Sequence, residues 1–155
     1  MIDSHCHLDC IDVSTRDGGI QSILDAAQAH GVERMLCISI TLGNDAPRQL
    51  AAQHAPVWAT VGIHPCHAHE EPDVSVDQLC RLAQAPDVIA FGETGLDGYH
   101  EPVSDVQRQS FQTHLEAGRI KGLPIVVHTR DARDARPRGG ADGAGGVLLR
   151  PQPRG

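Results

Sequence analysis

The sequence predicts an α/β protein in which about five parallel strands form part of a TIM-type (β/α) barrel. Three observations carry that expectation. Strand-like and helix-like runs alternate from Ile2 to His128, which calls for parallel strands joined by right-handed helical crossovers. Four of the five strand-like runs end in a histidine or glutamate, and a β/α barrel places its chemistry at the carboxyl ends of its strands. No Gly-rich phosphate-cradling loop follows the first run, which disfavours a nucleotide-binding doubly wound sheet.

The elements follow in order. Ile2–His7 reads as a short first strand. Ile20, Ile23, Leu24 and Ala27 fall at helical spacing, and Gly31 supplies a C-terminal stop. The apolar run Met35–Ile40 suits a buried strand. Residues 44–54 read as a helix with Asn44 as cap and Pro47 in the first turn. Val57–Ile63 is the third strand and ends at His64-Pro65. A helix over Ser75–Ala85 follows, with Leu79 and Leu82 inward. Val88–Gly92 is the fourth strand, ending at Glu93. Ser104–Gly122 is a helix with Phe111, Leu115 and Gly118 on one stripe. Ile125–Val127 is the fifth strand, ending at His128.

Composition bounds the class. The chain has 155 residues, enough for one domain with a real core, and its 40% apolar and 21% charged content is ordinary for a globular protein. Residues 1–135 hold 19 acidic and 9 basic side chains, which argues against a broad basic face for nucleic acid. A phosphate-bearing substrate stays open, because bound divalent cations can supply local positive charge. Five cysteines without a Cys-x-x-Cys pair read neither as a disulfide framework nor as a structural zinc site. Cys37 and Cys80 sit in apolar runs and read as core residues. No signal-like leader or apolar run of about 18 residues is present, so the expected location is the cytoplasm, with no membrane and no protein partner inferred.

The chemistry starts at Ile2-Asp3-Ser4-His5-Cys6-His7-Leu8-Asp9. Side chains two apart in a strand share a face, so His5 and His7 can reach one metal ion together. With His64, Glu93 and His128 at the ends of later strands, one rim offers a set of nitrogen and carboxylate ligands. That set suits zinc, manganese, iron, nickel or cobalt better than an all-oxygen magnesium site. A carboxylate such as Glu93 can bridge two ions roughly 3.5–4 Å apart and activate water between them. His67 and His69 run into Glu70, Glu71 and Pro72 and read as a solvated loop. His30, His54, His100 and His114 fit loop or helix-surface positions.

Four ordered stretches then support a family. They are Ile2–Asp9, Val61-Gly62-Ile63-His64-Pro65, Phe91-Gly92-Glu93-Thr94-Gly95-Leu96-Asp97, and Pro124-Ile125-Val126-Val127-His128-Thr129-Arg130-Asp131, with the helix segment Gln107–Phe111 between the last two. The chain resembles the TatD family of metal-dependent hydrolases, DNase-like members of the amidohydrolase-type β/α barrels, over residues 1 to about 135. The resemblance implies hydrolysis of phosphodiester bonds in DNA by a water activated between two divalent ions (Mg, Mn or Zn). By the same resemblance His5 and His7 are the first metal ligands, Glu93 the bridging carboxylate and catalytic centre, and His128 a ligand of the second ion. His64 and Arg130 then face substrate, and Asp97 orients a ligand. A neighbouring amidohydrolase for small cyclic amides or lactones shares the His-x-His start but fits the Gly-Glu-Thr-Gly-Leu-Asp segment less well.

The family also has a sixth strand with a histidine ligand and an eighth-strand aspartate, and neither occurs here. A full barrel takes roughly 250 residues. From Arg136 nine of the last twenty residues are Gly or Pro, a composition of disordered segments. The expected organisation is therefore a partial barrel over 1–135, open at both sheet edges, and a disordered or aberrant tail over 136–155 of out-of-frame origin. An inactive fragment with residual metal binding is the alternative to a working hydrolase.

Overall fold

The computed structural model describes residues 1–99, 101–132 and 147–149, the last three by their backbone. Five parallel strands lie side by side in chain order: β1 (Ile2–Cys6), β2 (Arg34–Cys37), β3 (Val57–Val61), β4 (Val88–Asp97) and β5 (Ile125–Arg130). Helices α1 (Gly19–Ala29), α2 (Ala46–Gln53), α3 (Val76–Leu82) and α4 (Asp105–Lys121) connect them. Because spatial order equals sequence order, the winding never reverses, as a doubly wound sheet would require. The result is a curled half-barrel.

Alternation along the strands divides the core in two. Met35, Cys37, Val57, Ala59, Val61, Phe91 and Ile125 pack with Leu24, Leu79 and Ala117 of the helices. The intervening residues Leu36, Ile38, Ala90 and Val126 form a separate cluster with Trp58 and Ile89 on the concave side. A shallow cavity of about 200 Å³ opens there, lined partly by Ile2, His5 and Trp58.

Local chemistry sets the helix ends. Ser75 and Ser104 cap α3 and α4 by accepting the amide N–H of Gln78 and Gln107, each at 3.2 Å. Asn44 accepts the Ala46 amide at 3.0 Å just outside α2, whose cap position is Asp45. Gly122 ends α4 in the left-handed region at φ 68°.

Five expectations need correction. β4 does not stop before Glu93, and β5 does not stop before His128. Beyond an irregularity between Phe91 and Thr94, Thr94–Asp97 pairs with Val127–Arg130, so both residues lie inside strands. The fully buried stripe of α4 is Ser110, His114, Ala117 and Gly118; of the expected stripe Gly118 belongs to it, Leu115 packs half-buried against the core and Phe111 is only half-buried, and His114 is core and not helix surface. The edge beside β5 is not open: β6 (Val147–Leu149) pairs antiparallel with it, Ile125 opposite Leu149. Three apolar residues amid Gly and Pro are too few to signal a strand. The rest of the expected tail, and His100, lie outside the described residues.

The extension of β4 depends on two glycines. Gly92 (φ 124°) and Gly95 (φ 144°) lie against β5, where a Cβ would meet the Val126 carbonyl oxygen at 2.4 Å and the His128 carbonyl oxygen at 2.1 Å. Backbone contact that close, at positive φ, admits only glycine. Gly95→Ala is therefore expected to cost more than about 2 kcal/mol through backbone strain and displacement of β5. Urea unfolding of the variant beside the parent chain checks this.

Candidate metal centre

The carboxyl ends of β1, β4 and β5 meet around Glu93. Its side chain is only 7% exposed, and its amide donates to the Ser39 carbonyl at 3.0 Å, tying the irregular point of β4 to the chain after β2. One carboxylate oxygen, Oε2, faces His5 Nε2 at 3.4 Å, and the other, Oε1, faces His128 Nδ1 at 3.0 Å. Burial by itself would raise the Glu93 pKa. The hydrogen bonds from His128 and His5 outweigh it and hold the carboxyl far below the usual carboxylate range.

His5 and His7 stand on one face, as their spacing requires, with ring centroids 5.3 Å apart. His7 Nδ1 lies 3.2 Å from the Ile38 carbonyl, so that nitrogen carries the proton and Nε2 keeps a lone pair. Cys6 between them turns away: its thiol donates to the Leu36 carbonyl at 3.3 Å, and burial pushes it up to about 12. It is a thiol, not a thiolate ligand.

His128 sits between two carboxylates, with Nδ1 toward Glu93 and Nε2 2.8 Å from Asp97 Oδ2. Burial opposes its protonation, yet Glu93 and Asp97 together raise its pKa. Asp97, buried at the end of β4, is itself held firmly. Gln107 accepts its amide N–H at 3.1 Å and donates to its carbonyl at 3.2 Å, while Asp97 Oδ1 accepts the Tyr99 amide at 2.9 Å. Burial would raise the Asp97 pKa, but the Tyr99 amide and His128 lower it. Arg130 ends β5 beside Asp97, with its guanidinium carbon 3.4 Å from the Tyr99 ring centroid.

His64 comes closer to the ligands than the sequence implied. Its Nε2 is 3.2 Å from His128 Nδ1, and His64, Glu93 and His128 offer donor atoms within 4.8 Å of one another. Its Nδ1, however, accepts the Cys66 amide at 3.2 Å, which leaves the ring proton on Nε2. In that tautomer His64 presents a donor to the site and no lone pair. Burial, then the neighbouring His128, lowers its pKa to about 4, so the ring is neutral.

The donor chemistry fits divalent cations. His5, His7 and Glu93 form one group and His64, Glu93 and His128 another, with Glu93 common to both; in the second the His64 tautomer leaves Glu93 and His128 to supply the ligand atoms. A carboxylate whose two oxygens turn toward imidazoles on different strands can bridge two ions, and mixed nitrogen and oxygen donors suit first-row metals.

The family profile described as TatD related DNase matches residues 2–136. The chain belongs to this family. Over 135 residues it is 39% identical to the uncharacterized metal-dependent hydrolase YcfH of Escherichia coli strain K12, covering 86% of this chain and 50% of that protein. Over 79 residues it is 39% identical to the 3'-5' ssDNA/RNA exonuclease TatD of Erwinia billingiae, covering 50% of this chain and 30% of the relative. The structure of the TatD homolog YJJV from Escherichia coli superposes with a TM-score of 0.74 at 29% identity, over 86% of this chain and 52% of that one. The chain thus spans about half the length of the TatD relatives it matches.

Among the described residues the other histidines sort as expected, with one exception. His67, half-buried, and His69, exposed, lie near Glu70, and His30 and His54 end α1 and α2. No described helix is long and apolar enough to cross a membrane. His114 is the exception, along with Gln107, a residue the sequence reading left without a role. Fully buried, His114 donates from Nδ1 to the Ser110 carbonyl at 2.7 Å, and its Nε2 accepts the amide of Ile63, next to His64, at 3.2 Å. A Ser-x-x-Gln cap at 104–107 was the available signal for Gln107. Nothing in helical periodicity marks His114 as inward.

Burial, opposed by the Ser110 carbonyl, lowers the His114 pKa to about 4 from an ordinary value near 6.5. A depressed folded-state pKa makes its contribution complete above pH 6.5 and lost as the pH falls from there toward 4. Between pH 7 and pH 5 the stability advantage of the parent chain over His114→Gln is expected to shrink by about 2 kcal/mol. Urea midpoints of both proteins at the two pH values measure it.

Proposed function

We propose that this chain is built for metal-dependent hydrolysis of phosphodiester bonds in DNA. The observation that carries the reading is Glu93, a buried carboxylate with one oxygen toward His5 and the other toward His128. Relatives named as ssDNA/RNA exonucleases support the substrate class. His5, His7 and Glu93 would hold one divalent ion, and Glu93 and His128 a second. Such ions would acidify a water molecule and neutralise charge developing on the phosphate.

The chain's own residues then have distinct tasks. Glu93 would contribute a carboxylate oxygen to each ion. Asp97 holds the His128 ring in orientation, and Gln107 holds Asp97. His64, protonated on Nε2, is a donor for a phosphate oxygen, and Arg130 supplies positive charge at the rim. With about half the length of its relatives present, turnover by this polypeptide alone is expected to be slow, so metal binding is the more direct readout.

Calorimetric titration with Mn²⁺ or Zn²⁺ is expected to give two sites on the parent chain and at most one weakened site on Glu93→Gln. Asp97→Asn is expected to weaken binding by about 10–100-fold through the mis-oriented His128 ring. Hydrolysis of single-stranded DNA with added manganese, run beside Glu93→Ala, tests catalysis. Equal residual activity in the two proteins excludes chemistry at this centre.

A further inference from the structure

At the rim beside Asp97, Arg130 lies flat against Tyr99. The guanidinium carbon is 3.4 Å from the ring centroid, a cation–π stack. The backbone fixes both partners relative to the metal ligands. Asp97 stands opposite Arg130 in the β4–β5 register, Gly98 donates to the Arg130 carbonyl at 2.8 Å, and the Tyr99 amide donates to Asp97 Oδ1 at 2.9 Å. The other oxygen of that carboxylate contacts His128. The stack is therefore two hydrogen bonds away from His128. Tyr99 nevertheless stays 52% exposed, one of few large apolar side chains left on the described surface.

From this geometry we infer that Tyr99 and Arg130 form a nucleotide subsite, in which the phenol ring stacks a nucleobase and the guanidinium holds an adjoining phosphate. The inference rests on the phosphodiesterase reading above and extends it to a particular contact. A guanidinium lying on an aromatic ring keeps its N–H edges directed outward, where they can donate in pairs to phosphate oxygens. Aromatic stacking accepts any base, because every base has a π-face, so the subsite reads the presence of a base and not its identity. It also suits an unpaired strand, whose bases are free to splay onto a protein ring.

The chain contains a single tyrosine, so 3-fluorotyrosine labels position 99 alone. The expected result is a shift of the one ¹⁹F resonance on adding a short phosphorothioate oligothymidylate with Mn²⁺, and no shift with an abasic oligomer of equal length. Tyr99→Ala is expected to raise the Kd for the oligothymidylate at least ten-fold, whereas Tyr99→Phe, which keeps the ring, stays within about two-fold. Arg130→Ala weakens both oligomers, since both carry phosphates. Oligothymidylate binding with an unmoved resonance and an unchanged Kd for Tyr99→Ala overturns the subsite. Oligomers that do not bind the parent chain overturn it as well. Manganese-dependent hydrolysis of bis(4-nitrophenyl) phosphate, a diester without a base, reports on the parent reading separately. Turnover there beside a silent ¹⁹F resonance sinks the subsite and leaves the hydrolase reading standing.

Discussion

Placing an ionised carboxylate inside the end of a parallel sheet is the constraint on which this structure turns. A buried carboxylate is costly unless its oxygens are met by hydrogen bonds or cations. Glu93 is met by His5 on one side and His128 on the other, and its amide is anchored on Ser39. Those partners come from β1, β5 and the chain after β2, so satisfying one side chain requires the strands to be in register at one rim. Pairing of β4 with β5 past the irregularity at Phe91–Thr94, with Gly92 and Gly95 against the β5 backbone, is what lets the three strands converge.

Much of this was legible in the sequence, for a physical reason. Parallel strands buried on both faces read as apolar runs, and a polar residue closing such a run has few roles other than chemistry. His5, His7, Glu93 and His128 stood out for that reason and do converge. Strand ends were less legible. Glu93 and His128 look like terminators because they are polar, yet the ladder runs past both, since their neighbours Thr94, Leu96 and Thr129 still pair and pack. Sequence alternation cannot register a strand whose inward side chain is meant to be charged.

The supporting residues were the least visible. His114 and Gln107 both lie on α4, a helix whose sequence offers Phe111 and Leu115 as the obvious inward pair. The observed stripe is smaller and more polar because Gly118 and Ala117 let α4 approach the sheet closely; a Cβ on Gly118 would fall 2.5 Å from Ile125 Cδ1. At that distance the helix can reach the backbone of the strand ends directly. His114 takes the Ile63 amide and Gln107 takes both backbone polar groups of Asp97. Their function is to satisfy strand-end groups that the ladder leaves unpaired, and that demand exists only once the strands are in place.

The electrostatics of the chain follow the same logic. A protein of formal net charge −7 does not attract a polyanion by its overall field. Attraction has to be local, and the rim is arranged for it. Glu93 and Asp97 favour positive charge there: Glu93 raises the pKa of His5, and Glu93 with Asp97 raises that of His128. Arg130 stands just outside, stacked on Tyr99, while His128 contacts both carboxylates. A cation held by those imidazoles would displace their protons and balance the same buried carboxylates. On the phosphodiesterase reading proposed above, Arg130 and the cations that Glu93 would help to hold are what offsets the acidic chain at this rim.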